Sequence, residues 1–201
     1  MSLKIAFIGK MCSGKTTLCK YLQELQPKFV VLSFAGKIKE IAYDLFDMKF
    51  KDRKLLQQIG SKMRDIDTDV FSKYLIKQSN QYKFVLVDDA RYPDEIKYLK
   101  DNGFILIKLI IKPELQKKRI YELYGNKSGE HLTRLEHPSE VLQDTIKKEI
   151  FDLIRSYSYP YPGAFTFFQN KKLYIYSASV ESIPFDTVVQ SDKNALELLF
   201  F

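Results

Sequence analysis

The chain has 201 residues, of which 45% are hydrophobic and 28% charged, and a formal net charge of +7. Such a composition is typical of a globular protein, and the length suits one α/β domain, expected over 1–201. No apolar run reaches the roughly 20 residues that cross a bilayer, and the N-terminus lacks a signal-peptide layout. The closely spaced Cys12 and Cys19 favour a reducing compartment. We therefore expect a cytoplasmic protein whose positive charge suits anionic ligands.

Short apolar runs alternate with helical patterns along the chain. Strands are predicted at 3–8, 29–32, 83–89, 104–111 and 186–190. Helices are predicted at 15–25, 36–46, 53–65, 70–78, 93–102, 113–123 and 194–199. Ser33 is expected to cap the second helix and Pro93 to begin the fifth. This alternation indicates an α/β fold with a five-stranded parallel sheet, helices on both faces and all strand carboxyl ends at one edge.

Two segments interrupt this alternation. The polar stretch 124–138 has two glycines and no apolar period, and is predicted to be a loop or mobile flap. The segment at about 151–182 contains two β-rich runs, 164–169 and 172–177, which follow a stretch rich in proline and are separated by a turn. It is predicted to be an inserted β-hairpin near the C-terminus.

Residues 9–16 read Gly-Lys-Met-Cys-Ser-Gly-Lys-Thr and match the phosphate-binding pattern G-x-x-x-x-G-K-[ST], between a predicted strand and a predicted helix. The glycines let consecutive N–H groups face an anion, and the helix adds its positive end. Lys15 is expected to reach the β- and γ-phosphates of ATP, and Thr16 to ligate Mg²⁺. The predicted ATP-binding residues are Gly9, Ser13, Gly14, Lys15, Thr16 and Thr17.

The third predicted strand ends in Asp-Asp-Ala-Arg at 88–91. An acidic group at such a strand end orients Mg²⁺, so Asp88 and Asp89 are both candidates, with Asp88 assigned to the metal beside Thr16. The fork of Arg91 suits a phosphate. A signalling GTPase is disfavoured, because the glycine of D-x-x-G is absent here and the stretch 126–129 lacks the aspartate of N-K-x-D.

Together with these motifs, the sequences at 33–40, 55–64, 88–95 and 137–140 resemble elements of the deoxynucleoside monophosphate kinases of phages and large DNA viruses. The resemblance extends over roughly 1–145 and 184–201. It implies a P-loop kinase fold that uses ATP and Mg²⁺ to convert a deoxynucleoside 5′-monophosphate to the diphosphate, in the host cytoplasm if the protein is viral. It also implies an acceptor-binding region at about 34–80 and a flap at about 112–138.

The motifs and this resemblance together assign roles to individual side chains. The catalytic set is Lys15, Asp88, Asp89 and Arg119. The substrate-binding set is Lys10, Phe34, Lys37, Gln57, Arg64, Arg91 and Arg134. Four of these cations (Lys10, Lys37, Arg64 and Arg91) would hold the acceptor phosphate, and Phe34 and Gln57 would lie near its base or sugar. Arg119 and, as further flap cations, Lys127 and Arg134 would stabilise the charge on the transferring phosphoryl group.

A stretch within 159–176 is similar to a late part of the catalytic domain of methionyl-tRNA and related formyltransferases, but the Asn–His–Asp set and folate site of that family are missing from the sequence. Two alternatives stay open. One is a kinase for another small phosphorylated acceptor, such as a phosphorylated isoprenoid precursor, and the other is a nucleotide-binding module with weak turnover. The expected partners are small-molecule nucleotides, not a membrane, and the lack of a basic tail argues against nucleic acid. A homodimer is left open.

Overall fold

The computed structural model describes residues 2–157, 164–169 and 172–177. Four of the predicted strands are present: β1 (Leu3–Ile8), β2 (Val30–Leu32), β3 (Phe84–Val87) and β4 (Ile105–Ile111). They pair in parallel in the order β2–β3–β1–β4. Their carboxyl ends therefore meet at one edge, as the sequence predicted.

Helices connect these strands, and six of them begin within two residues of their predicted starts: α1 (Lys15–Leu25), α2 (Phe34–Phe46), α3 (Arg53–Ile66), α4 (Val70–Ser79), α5 (Pro93–Asp101) and α6 (Pro113–Tyr124). Local capping explains the boundaries. The Ser33 hydroxyl accepts a hydrogen bond from the N–H of Gly36 at 3.1 Å. Pro93 stands in the first turn of α5, where its missing N–H costs nothing.

Side chains that alternate along the strands build a core on each face of the sheet. One core contains Ala6, Ile8, Val85 and Val87, packed with buried residues of α4 and α5. The opposite core contains Ile5, Phe7, Leu86 and Leu109, packed with α1. The sheet is therefore buried on both faces, which explains its nearly continuous apolar sequences. A smaller cluster of Ala42, Met48 and Ile59 joins α2 to α3.

The strand that follows β4 in the described sheet is not the predicted fifth strand. A strand that was not predicted, β5 (Leu153–Tyr157), pairs in parallel with β4 at the sheet edge. The predicted strand and helix at 186–199 lie outside the described residues. The carboxylate of Asp152 fixes where β5 begins, since it accepts hydrogen bonds from the N–H of Leu106 at 2.8 Å and from Lys100 Nζ at 2.6 Å. The sheet therefore continues into the segment that was predicted to be an insertion.

The predicted hairpin runs are strands: β6 (Ala164–Gln169) and β7 (Lys172–Ser177) form an antiparallel pair. The prediction of a loop over 124–138 is wrong, because helical turns fill most of this stretch, including α7 (Ser128–Thr133). Ser128 and His131 are buried there, and the imidazole of His131 stacks on Tyr124 at 3.5 Å between ring centres. A further short helix, α8 (Pro138–Val141), follows. No helix among the described residues is both long and apolar enough to span a bilayer.

Candidate active site at the phosphate loop

The loop between β1 and α1 has the backbone shape that its sequence predicted. A Cβ on Gly9 would lie 2.5 Å from the carbonyl oxygen of Leu109, so this position admits only glycine without a backbone shift. Gly14 has a φ of 96°, in the left-handed region that favours glycine. Cys12 also has a positive φ, 63°, which is uncommon for a residue with a side chain. The loop is thus held in a specific conformation at the carboxyl edge of the sheet.

The ammonium of Lys15 lies inside this loop. It donates to the carbonyl oxygens of Gly9 and of Lys10, the latter at 2.9 Å. Burial lowers the pKa of Lys15 to about 8, the nearby charges of Glu140 and Asp88 oppose this shift, and the charge of Arg91 adds to it. A bound phosphate would replace the carbonyl contacts with a charge-assisted one, as expected for a P-loop lysine.

The hydroxyl of Thr16 donates to Asp88 Oδ2 at 2.6 Å, joining the first turn of α1 to the end of β3. A hydroxyl and a carboxylate in contact are the hard oxygen ligands that Mg²⁺ accepts together with waters and phosphate oxygens. The two side chains therefore fit the predicted metal position. Among the described residues, there is no cluster of three or more His, Cys, Asp or Glu of the kind that holds a metal without such help.

The neighbouring carboxylate of Asp89 has a different role. Its oxygens accept hydrogen bonds from the Ser33 hydroxyl at 2.6 Å and from the N–H groups of Phe34 at 3.0 Å and Ala35 at 2.9 Å. These groups form the N-terminus of α2, where an anion is favoured by the helix dipole. Asp89 therefore fixes α2 to the sheet edge, and Asp88 is the aspartate that faces the phosphate loop.

Three side chains from later in the chain hold the outer part of the loop. Gln116 Nε2 donates to the Met11 carbonyl at 2.8 Å, and Glu140 Oε2 accepts the Met11 N–H at 2.7 Å. Arg119 donates to the Cys12 carbonyl at 3.0 Å. The structure thus brings the predicted cation Arg119 to the phosphate loop, from the buried side of α6.

The two predicted acceptor arginines lie near the same edge, each beside a carboxylate. Arg91 contacts Glu140 Oε1 at 3.4 Å. Arg64 contacts Glu95 at 3.1 Å, and its guanidinium also lies over the rings of Phe71 and Tyr92. Burial raises the pKa of Glu95, against the effect of the N–H groups and the arginine that it binds. Arg64 is therefore oriented from several sides while about a third of its side chain stays exposed.

The remaining predicted substrate residues are distributed more widely. Lys10 pairs with Asp144 at 2.6 Å, next to the loop. Lys37 pairs with Glu40 at 2.6 Å and lies over the ring of Tyr74, beside an open groove between α2 and α4. Phe34 is buried in the core, Gln57 is exposed on α3, and Arg134 contacts Glu130 and His131 within its own helical segment. Of these residues, Lys10 is the one that belongs to the phosphate loop.

Sequence reasoning did not single out Gln116, Glu95 or Glu140 as site residues. Gln116 carries no motif signal, since it acquires its role only through a contact with a distant segment. Glu95 lies in the sequence 88–95 that contributed to the resemblance, but its contact with Arg64 joins segments 31 residues apart. Glu140 belongs to the His-Pro-Ser-Glu sequence at 137–140 that contributed to the resemblance, which was the available signal.

Comparisons with known proteins give one result for the C-terminal part of the chain and another for the fold. A family model described as the formyl transferase C-terminal domain matches residues 144–198, a minority of the chain that contains the stretch with that resemblance. No curated protein matches the chain.

Among solved structures, the protein TT1252 from Thermus thermophilus is 13% identical with a TM-score of 0.50, over 79% of this chain and 90% of that one. An uncharacterized protein from Eubacterium ventriosum is 17% identical, also at 0.50, over 77% and 88%. Shikimate kinase from Acinetobacter baumannii, in complex with shikimate, is 18% identical at 0.48, over 80% and 86%. At these sequence identities, a similarity between structures shows the fold alone.

Proposed function

We propose that the chain is a P-loop kinase that transfers the γ-phosphoryl group of ATP to a small phosphorylated acceptor, namely a deoxynucleoside 5′-monophosphate. The contact between Thr16 and Asp88 is the observation that carries the proposal, because it joins the phosphate loop to the strand end where the metal is needed. Arg91 and Arg64 supply cationic groups near the same edge for a second phosphate. An enzyme with two phosphate-bearing substrates must offset the negative charge of both.

In this proposal, different residues bind the phosphates of the donor and of the acceptor. Lys15 and the N–H groups of the loop would bind the β- and γ-phosphates, and Thr16 and Asp88 would hold Mg²⁺. The metal, when bound, neutralises charge on the phosphate oxygens. Arg91 and Arg64 would orient the acceptor phosphate, and Arg119 would stabilise charge on the transferring group. Orientation and electrostatic stabilisation supply most of the catalysis in this reaction class.

A coupled assay of ADP formation with each deoxynucleoside and ribonucleoside monophosphate tests the acceptor class. We expect turnover with at least one deoxynucleotide, and a loss of at least about 100-fold for Lys15→Ala without loss of fold. Turnover with phosphorylated isoprenoid precursors alone would refute the nucleotide acceptor and leave a kinase. Binding of ATP without turnover of any acceptor would favour a nucleotide-binding module.

Arg64→Lys tests the acceptor role while keeping a positive charge beside buried Glu95. A lysine lacks the bidentate fork, so the acceptor KM should rise by about 10- to 150-fold and the ATP KM should change far less. Arg53→Lys is the matched control, since Arg53 lies exposed at the start of the same helix. Equal weakening of ATP and acceptor would contradict the assignment of Arg64.

A further inference from the structure

A buried carboxylate lies between the donor and acceptor parts of the candidate site. Glu140, on the short helix α8, is only 4% exposed. Its Oε2 accepts the N–H of Met11, and its Oε1 contacts the guanidinium of Arg91. A carboxylate is costly to bury unless both of its oxygens have partners. Here one partner belongs to the phosphate loop and the other is a predicted acceptor-phosphate ligand.

The backbone at Met11 is held from both sides. Glu140 Oε2 accepts a hydrogen bond from the N–H of Met11 at 2.7 Å. Gln116, which is 5% exposed, donates a hydrogen bond to the carbonyl oxygen of Met11 at 2.8 Å. The two peptide groups that flank Met11 are therefore fixed by side chains of two different helices, α6 and α8. A loop held in this way does not have to be ordered by its ligand, which lowers the entropic cost of binding.

We propose that Glu140 is a positioning residue that fixes the phosphate loop and the guanidinium of Arg91 relative to each other, so that donor and acceptor phosphates meet in line. Displacements of about 1 Å cost on the order of 100-fold in transfer reactions, so a shared support for both ligands matters. The catalytic consequence rests on the proposed function. The support itself is a property of the ligand-free protein and is measured without any substrate.

Amide hydrogen exchange of Met11, followed by NMR, measures this support. In Glu140→Ala the Met11 amide should exchange at least about tenfold faster than in the unaltered protein, relative to the buried amide of Leu86 as an internal reference. In Glu140→Gln the slow exchange should persist, because the side-chain amide oxygen still accepts the N–H. Glu136→Gln, at an exposed position, is the matched control and should change nothing. Unchanged Met11 exchange in folded Glu140→Ala would overturn the proposal.

The second readout is the effect on Arg91, whose guanidinium contacts Glu140. In Glu140→Gln, the lost charge should raise the acceptor KM at least about tenfold while the ATP KM stays within about threefold.

Tighter ADP binding by either Glu140 variant would also overturn the proposal, since it would show that the carboxylate competes with phosphate for the loop. Absence of turnover with every acceptor would count against the proposed function alone. In that event the Met11 exchange still decides whether Glu140 supports the loop.

Discussion

Raising the pH from 7 to 9 should weaken nucleotide binding, because Lys15 loses its proton in the ligand-free protein over this range. Burial lowers its pKa from 10.5 to about 8. Lysine must be charged to bind phosphate, and bound phosphates raise its pKa again. The affinity is therefore nearly full at about pH 7, is about halved near pH 8 and falls further as the pH rises. With a pKa of about 8, the charged fraction falls about tenfold between pH 7 and pH 9, and the affinity should fall by about the same factor.

Isothermal titration with ADP at pH 7, 8 and 9, in buffers of different ionisation enthalpy, measures both the affinity and the proton uptake. We expect about one proton to be taken up for each ADP bound at pH 9, and almost none at pH 7. Lys15→Met is the control, since it removes this titration and leaves that of the ligand. A dissociation constant with the same pH dependence in both proteins, and no proton uptake at pH 9, would refute the reasoning.

Three substitutions test other parts of the structure. Gly9→Ala should lower the free energy of unfolding by about 1–3 kcal/mol and weaken ADP binding, because the new methyl group meets the Leu109 carbonyl; a normal urea midpoint would contradict this close approach. Asp89→Asn should lower the free energy of unfolding by about 1–3 kcal/mol, because Asp89 binds the start of α2. Asp88→Asn should leave the free energy of unfolding unchanged and abolish Mg²⁺-dependent activity. The opposite result for the two variants would show that the two roles are assigned to the wrong aspartates. Asp152→Ala should lower the free energy of unfolding by about 1–3 kcal/mol, because the N–H of Leu106 loses its acceptor where β5 begins beside β4; an unchanged urea midpoint would contradict this role of Asp152.

The elements that sequence reasoning placed well are those with local signals. Ser33 was expected to cap α2 and does so, and Pro93 was expected to begin α5 and does so. The glycines of the phosphate loop have the close approach and the positive φ that their pattern implies. Each of these features depends on residues only a few positions apart, so the sequence carries the necessary information.

The features that were missed depend on contacts between distant segments. Nothing near β5 in the sequence indicates a parallel partner, and its place is fixed by Asp152 binding to the backbone of Leu106. The stretch around His131 has no apolar period, yet stacking on Tyr124 and burial of the imidazole accompany its helical turns. The distinction between Asp88 and Asp89 likewise required the positions of Thr16 and α2, because identical adjacent side chains give no basis for separating them.

The supports of the phosphate loop have a consequence for synthesis of the chain on the ribosome. The loop is made first, but Gln116 and Glu140 follow Met11 by 105 and 129 residues. A nascent chain that has emerged only as far as β3 carries the complete motif without the side chains that hold its backbone. The side-chain contacts that hold Met11 are therefore absent until late in synthesis, so we expect the loop of such a nascent chain to be less ordered than that of the folded protein. Interrupted translation products that end before α8 should accordingly bind ATP more weakly than the 201-residue chain.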